Sequence, residues 1–175
     1  MHHLRHAMWI VLLIGLTATS GEATTESSCP APCKKLPSAN IFVREPAGTL
    51  DIAGNIAPLS GQVARGKKHT VLRVDVTLQL TTNNGVTGIY QAVSVNGVNL
   101  GGIGGTEATQ ACPAANATCA LTVTYWLALD AAEADHPGVF IKHPLVVTFS
   151  GGSFNVAGAG NAYHATLAAQ LLKSN

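Results

Sequence analysis

Three observations predict an all-β fold, an antiparallel β-sandwich, with a partly closed β-barrel as runner-up. From about residue 40 onward, apolar residues recur with period two, the spacing of a strand with one buried face. Two Asn-Gly dipeptides, Asn84-Gly85 and Asn96-Gly97, interrupt that pattern where reversals are needed. Charged residues make up only 11% of the chain, while Gly, Thr, Asn and Ser are plentiful, as on many exported β-proteins. Roughly eight to ten strands at this spacing suit two packed sheets.

Ahead of the sandwich, residues 1–23 have the layout of a signal peptide. Arg5 supplies the fixed positive charge, Ala7 through Leu16 the apolar core, and Gly21-Glu22-Ala23 the small residues of a cleavage site. A core of about 10 apolar residues falls well short of the ~20 that span a bilayer. A membrane anchor left uncleaved is the alternative. Residues 24–38 form a Cys/Pro-rich N-terminal segment, read as a tail or a pinned loop, and 39–175 form a single β-sandwich domain. Pro30, Pro32 and Pro37 interrupt the segment and argue against its being a donated strand.

Segments 41–44, 48–53 and 59–64 read as short strands. In 70–103, Leu72, Val74, Val76, Leu78 and Leu80 alternate with Arg73, Asp75, Thr77 and Gln79. If Asn84-Gly85 closes a type I′ hairpin, Leu80 pairs with Ile89, Val76 with Val93, and Val74 with Val95. A second hairpin at Asn96-Gly97 pairs Val95 with Val98 and Val93 with Leu100. Both registers put the same apolar residues on one face of a three-stranded meander, and a slip of one residue would expose them. Gln91 intrudes on that face and must find a partner or lie at its margin. Further apolar rows run through Leu121, Val123, Tyr125, Leu127 and Leu129, through Leu145, Val147 and Phe149, and through Tyr163 to Leu171. The last row contains good helix formers, but its alternation favours a strand. One short helical turn near 131–135 is expected, from a capping-box spacing in Asp130-Ala-Ala-Glu133 and a stop at His136-Pro137-Gly138.

Ten Lys and Arg face nine Asp and Glu, a net charge of +1. Such a balance offers no field to nucleic acid or anionic lipid. Four cysteines behind an export signal imply two disulfides. The local pairs Cys29–Cys33 and Cys112–Cys119 close the shortest loops and are favoured. A cross-link from the N-terminal segment to the 112–119 loop is the rival. The spacers fit no common zinc pattern.

Candidate sites are few. Trp126 and Tyr90 fall on the polar phases of their strands, where an aromatic offers stacking surface to a sugar or a protein; burial of Trp126 under a loop or the N-terminal segment is the bland reading. Asp130, Glu133 and Asp135 place three carboxylates in six residues, enough oxygen for a hard cation, although the layout of a dedicated calcium loop is missing. His69, His136, His143 and His164 share no ligand spacing. Ser150-Gly-Gly-Ser153 lacks the pattern of a nucleophile elbow. Gly101–Gly105 leads into no helix, as a phosphate loop would require. Arg65-Gly-Lys-Lys-His69 reads as a solvated basic turn, and Asn116-Ala-Thr118 is a formal glycosylation sequon.

These features favour a secreted or periplasmic, non-catalytic β-sandwich that binds or assembles through loops or an edge strand. Its partner would be a protein or a glycan, with no nucleic acid, no cofactor, and no integral membrane segment once the leader is removed. Two alternatives stand. One is a glycan- or Ca2+-binding module using Trp126, Tyr90 and the 130–135 loop. The other is an enzyme with a loop-built site, resting only on the available His, Asp and Glu.

Overall fold

A computed structural model of the protein describes residues 24–26, 33–35, 41–64, 71–100, 108–113, 117–141, 144–154 and 158–174. The expected leader, Cys29 with its expected bond to Cys33, His69, His143, the basic turn, the Gly101–Gly105 run and Asn116 lie outside them.

Two sheets face each other, and no barrel closes. The seven-stranded sheet has the order β1 (Thr24–Glu26), β10 (Cys119–Ala128), β6 (Val71–Leu80), β12 (Ala162–Ser174) and β2 (Cys33–Lys35). Along the same side of β12 as β2 lie β3 (Ile41–Arg44) and β4 (Ala47–Thr49). The five-stranded sheet runs β5 (Leu59–Val63), β11 (Leu145–Ser153), β7 (Gly88–Val95) and β8 (Val98–Asn99), with β9 (Ala108–Ala111) also on β7. Among the described residues every pairing is antiparallel except that of β1 with β10. The C-terminal row is a strand, as its alternation requires. Tyr163, Ala165, Leu167, Ala169 and Leu171 all point into the core.

The first hairpin is a correction. Val76 does not pair with Val93. It lies in the seven-stranded sheet between Val123 and Leu167, while Val93 lies in the other sheet opposite Phe149. Both are buried in one core, so the phase of each strand was read correctly and the partner was not. The two Asn-Gly turns differ in backbone. At Asn96-Gly97 both residues have positive φ, 50° and 86°, which is the type I′ requirement, and Val95 does pair with Val98. At Asn84-Gly85 only Gly85 is positive, at 75°, while Val86 N–H donates to the Asn83 carbonyl at 2.9 Å. That is the pattern of a type II turn, whose twist splays its strands. The chain therefore crosses from one sheet to the other.

Side chains hold the crossing. Asn83, fully buried, donates through Nδ2 to Pro113 O at 2.8 Å and accepts from Ala117 N–H at 3.0 Å. Both partners belong to the loop closed by the Cys112–Cys119 disulfide. That bond excludes the rival cross-link to the N-terminal segment. On the other side, Asn161 accepts from Asn84 N–H at 3.0 Å.

The expected helical turn is α1 (Leu129–Asp135), but it has no capping box. Ala128 is its N-cap and makes no side-chain cap bond. The Glu133 carboxylate instead turns forward. It accepts from the backbone N–H of Gly138, from Phe140 at 2.6 Å and from Ile141 at 3.0 Å, shaping the turn that seats buried Phe140.

Gln91 finds neither a partner nor a margin. It is fully buried, and both polar atoms of its amide lack a hydrogen bond among the described residues. The hydroxyl of Tyr125, a core residue, is in the same position. Burial pushes the Tyr125 phenol above its ordinary pKa. A folded pKa above the unfolded one contributes stability that is present below about pH 10 and lost as the pH climbs toward the folded value. Tyr125→Phe is expected to remove that alkaline loss and to raise neutral-pH stability by about 1 kcal/mol at most, because an orphaned hydroxyl disappears. Urea unfolding at about pH 7 and about pH 11 checks this. A variant that loses as much stability between the two as the parent refutes it.

Among the described residues, no helix is long and apolar enough to cross a membrane.

Candidate functional site

On β7 the side chains of Ile89, Gln91, Val93 and Val95 point inward, so Gly88 and Tyr90 look outward from the five-stranded sheet. The two glycines nearby decide what can stand beside Tyr90. A Cβ on Gly88 would lie 2.4 Å from the Phe154 ring, so only glycine lets that ring settle on the strand. A Cβ on Gly152 would lie 2.5 Å from Gly54 O and 2.7 Å from Asn55 Oδ1, so the 51–55 loop rests directly on β11.

Each piece is fixed by backbone bonds. Phe154 N–H donates to Gly88 O at 2.9 Å, and Ser153 N–H donates to Gly54 O at 2.8 Å. Within the loop, Asp51 Oδ1 accepts from Ala53 N–H at 2.9 Å and Asn55 N–H at 2.8 Å, and Gly54 takes φ 82°. The Tyr90 hydroxyl donates to Asn55 Oδ1 at 2.7 Å. The Tyr90 and Phe154 rings run parallel, 9° apart, with centroids separated by 6.4 Å. Thr109 of β9 is paired directly with Tyr90 and so shares its outer face, exposed. Phe154 keeps 54% of its surface open, and Ile52 at the loop tip 92%. The result is a parallel aromatic pair flanked by an amide on one side and a hydroxyl on the other.

Trp126 lies on the opposite outer face of the sandwich. It is half-buried on β10, with the Arg73 guanidinium 5.3 Å above its ring. Arg73 is bonded to Asp75 at 2.9 Å, and Asp75 accepts from Thr124 Oγ1 at 2.7 Å. Trp126, Arg73, Asp75 and Thr124 thus form a tied row of four residues on the neighbouring strands β10 and β6. The structure does not bring it to Tyr90.

The three carboxylates of the 130–135 stretch separate. Asp130 and Asp135 are exposed, while Glu133 is directed into the 138–141 turn. Among the described residues, no group of three His, Cys, Asp or Glu is placed to hold a metal ion. His136 stands exposed with its ring edge toward Phe140, and His164 is exposed on β12. Ser150 and Ser153 belong to strand β11.

Sequence reasoning found Tyr90 but missed Phe154, Asn55 and Thr109. Asp51-Ile-Ala-Gly54 carries a turn signature that could have marked Asn55. Nothing local shows that Phe154 lands on Gly88, because the two are brought together only by the β7–β11 register.

No family model matches the chain, and no curated protein does. Among solved structures, the C-terminal domain of EclA, described as a sugar-binding protein, is similar at 13% identity with a TM-score of 0.38. The match covers 77% of this chain and 79% of that one. A likeness this distant carries no argument about function.

Proposed function

We propose that this chain is an exported, non-catalytic binding module whose contact surface is the outer face of the five-stranded sheet around Tyr90 and Phe154. The observation that carries this reading is the Phe154 ring, more than half exposed yet parallel to Tyr90, on a backbone whose N–H is bonded to Gly88 O. An exposed aromatic normally costs solubility without return, whereas a preorganised one lowers the entropy lost on binding. The Cys112–Cys119 disulfide supports export, since such bonds persist in oxidising compartments.

Isotope-labelled protein titrated with a mixed panel of saccharides and short peptides tests the reading by NMR. A ligand is expected to move the amide signals of Asn55, Tyr90, Thr109 and Phe154. Phe154→Ala is expected to weaken that ligand about tenfold or more with little change in melting temperature, because the ring is exposed. Shifts that cluster around Trp126 instead, or conversion of a panel member to product, overturn it.

A further inference from the structure

The ligand class follows from what stands beside the two rings. Resting on the binding-module reading above, we infer that the Tyr90–Phe154 surface takes a neutral saccharide, stacked by its C–H face on the exposed Phe154 ring and hydrogen-bonded at its rim by Asn55 and Thr109.

Three observations lead there. First, the groups described at the surface carry no formal charge: Tyr90 and Phe154, the Asn55 amide, the Thr109 hydroxyl and two glycines. Asp51, the nearby carboxylate, has one oxygen already occupied by two backbone N–H groups of its own loop. Among the described residues at this surface a phosphate or carboxylate ligand would find no cation, and charged groups are what recognise such ligands.

Second, Tyr90 lies inside the sheet, one strand in from β9, which pairs with no other described strand. Tyr90 has β9 on one side and β11 on the other, so its backbone groups face a strand on both flanks. A peptide that binds by adding a strand needs an open edge, and Tyr90 itself offers none. Recognition must run through side chains.

Third, the side chains present are the pair that sugar chemistry asks for. A pyranose has an apolar C–H face and a rim of hydroxyls. The exposed Phe154 ring can accept the face, and a planar amide can donate to the rim. The Asn55 amide is already oriented, because its Oδ1 accepts from the Tyr90 hydroxyl. Its Nδ2 has no partner among the described residues and remains available as a donor. Ligand sites of this kind combine apolar contact with a few convergent polar groups.

The experiment compares parent and variants of the full chain against three sets of probes: neutral saccharides, acidic saccharides, and short uncharged peptides. Amide shifts are read at each concentration up to about 10 mM, well above a Kd of roughly 1 mM. Neutral saccharides are expected to shift Asn55, Tyr90, Thr109 and Phe154, and the other two sets are not. Asn55→Asp keeps the oxygen that Tyr90 bonds and removes the Nδ2 donor, so it is expected to weaken the saccharide about tenfold while Tyr90 stays in place. Phe154→Trp, which preserves a stacking surface, is expected to bind within about threefold of the parent. Trp126→Phe, on the far face, is expected to bind unchanged. If peptides or acidic saccharides move these four signals and neutral saccharides do not, the ligand class is wrong and the binding-module reading stands. If no probe moves them, both fall. If neutral saccharides bind and Asn55→Asp binds as well as the parent, the assigned role of the amide is overturned.

Discussion

Asn83→Ala is expected to lower the stability of the domain by about 2–4 kcal/mol, the largest loss for any single side chain that makes only neutral hydrogen bonds. The estimate follows from what the truncation leaves behind. Asn83 is fully buried, and its amide satisfies the Pro113 carbonyl and the Ala117 N–H together. Each orphaned group costs about 1–3 kcal/mol when water cannot replace the partner, and a small cavity adds to that. Pro113 is exposed, which lets water recover part of the loss and keeps the figure below the sum. Asn83→Asp is expected to cost at least as much. It retains the acceptor for Ala117 but sets a second acceptor against the Pro113 carbonyl. Removing the Cys112–Cys119 bond should lower stability too, and not additively with Asn83→Ala, since both hold the same loop. Urea midpoints for the single and combined variants check this. A loss below about 1 kcal/mol for Asn83→Ala means that the clamp is incidental.

Glu133→Ala is expected to cost a comparable amount, about 2–4 kcal/mol, through a different mechanism. One carboxylate accepts from the N–H groups of Gly138, Phe140 and Ile141, and hydrogen bonds to a charged acceptor are the stronger kind. Phe140, which that turn seats, is fully buried. Glu133→Gln, which keeps one oxygen in place, should lose about half as much. Amide exchange at Phe140 gives a local reading. It is expected to speed up in Glu133→Ala well beyond the change at Val76, deep in the sandwich. Equal acceleration at both positions would show that the turn and the core open only together.

The strands themselves were legible because one-sided burial writes itself into a chain with period two. The rows through Leu72–Leu80, Leu121–Tyr125, Leu145–Phe149 and Tyr163–Leu171 all meet in one core. Hairpin register was legible only where the turn was of the predicted type. Asn96-Gly97 and Asn84-Gly85 are the same dipeptide, and only the first takes positive φ at both residues. At the second, the neighbouring residue is captured by Pro113 and Ala117 from about thirty positions away. No local rule contains that partner.

The candidate site divides along the same line. Tyr90 could be assigned to an outer face from its phase alone, and so could Trp126. Their placement on opposite faces of the sandwich depends on which sheet each strand joins. Likewise the Asp130/Glu133 spacing suited a cap, yet the carboxylate found three backbone donors beyond the helix and went to them.

What the sequence determined by itself was therefore the class of fold, the phase of every long strand, the helical turn near 131–135 and the closing of the 112–119 loop. These depend on residues a few positions apart, where periodicity and short loops govern. Tertiary structure alone decided which strands pair, that Gln91 is sealed in without a partner among the described residues, and that Phe154 comes to rest on Gly88 beside Tyr90. Those outcomes are contacts between distant segments, selected by how two sheets pack as wholes, and no local pattern encodes them.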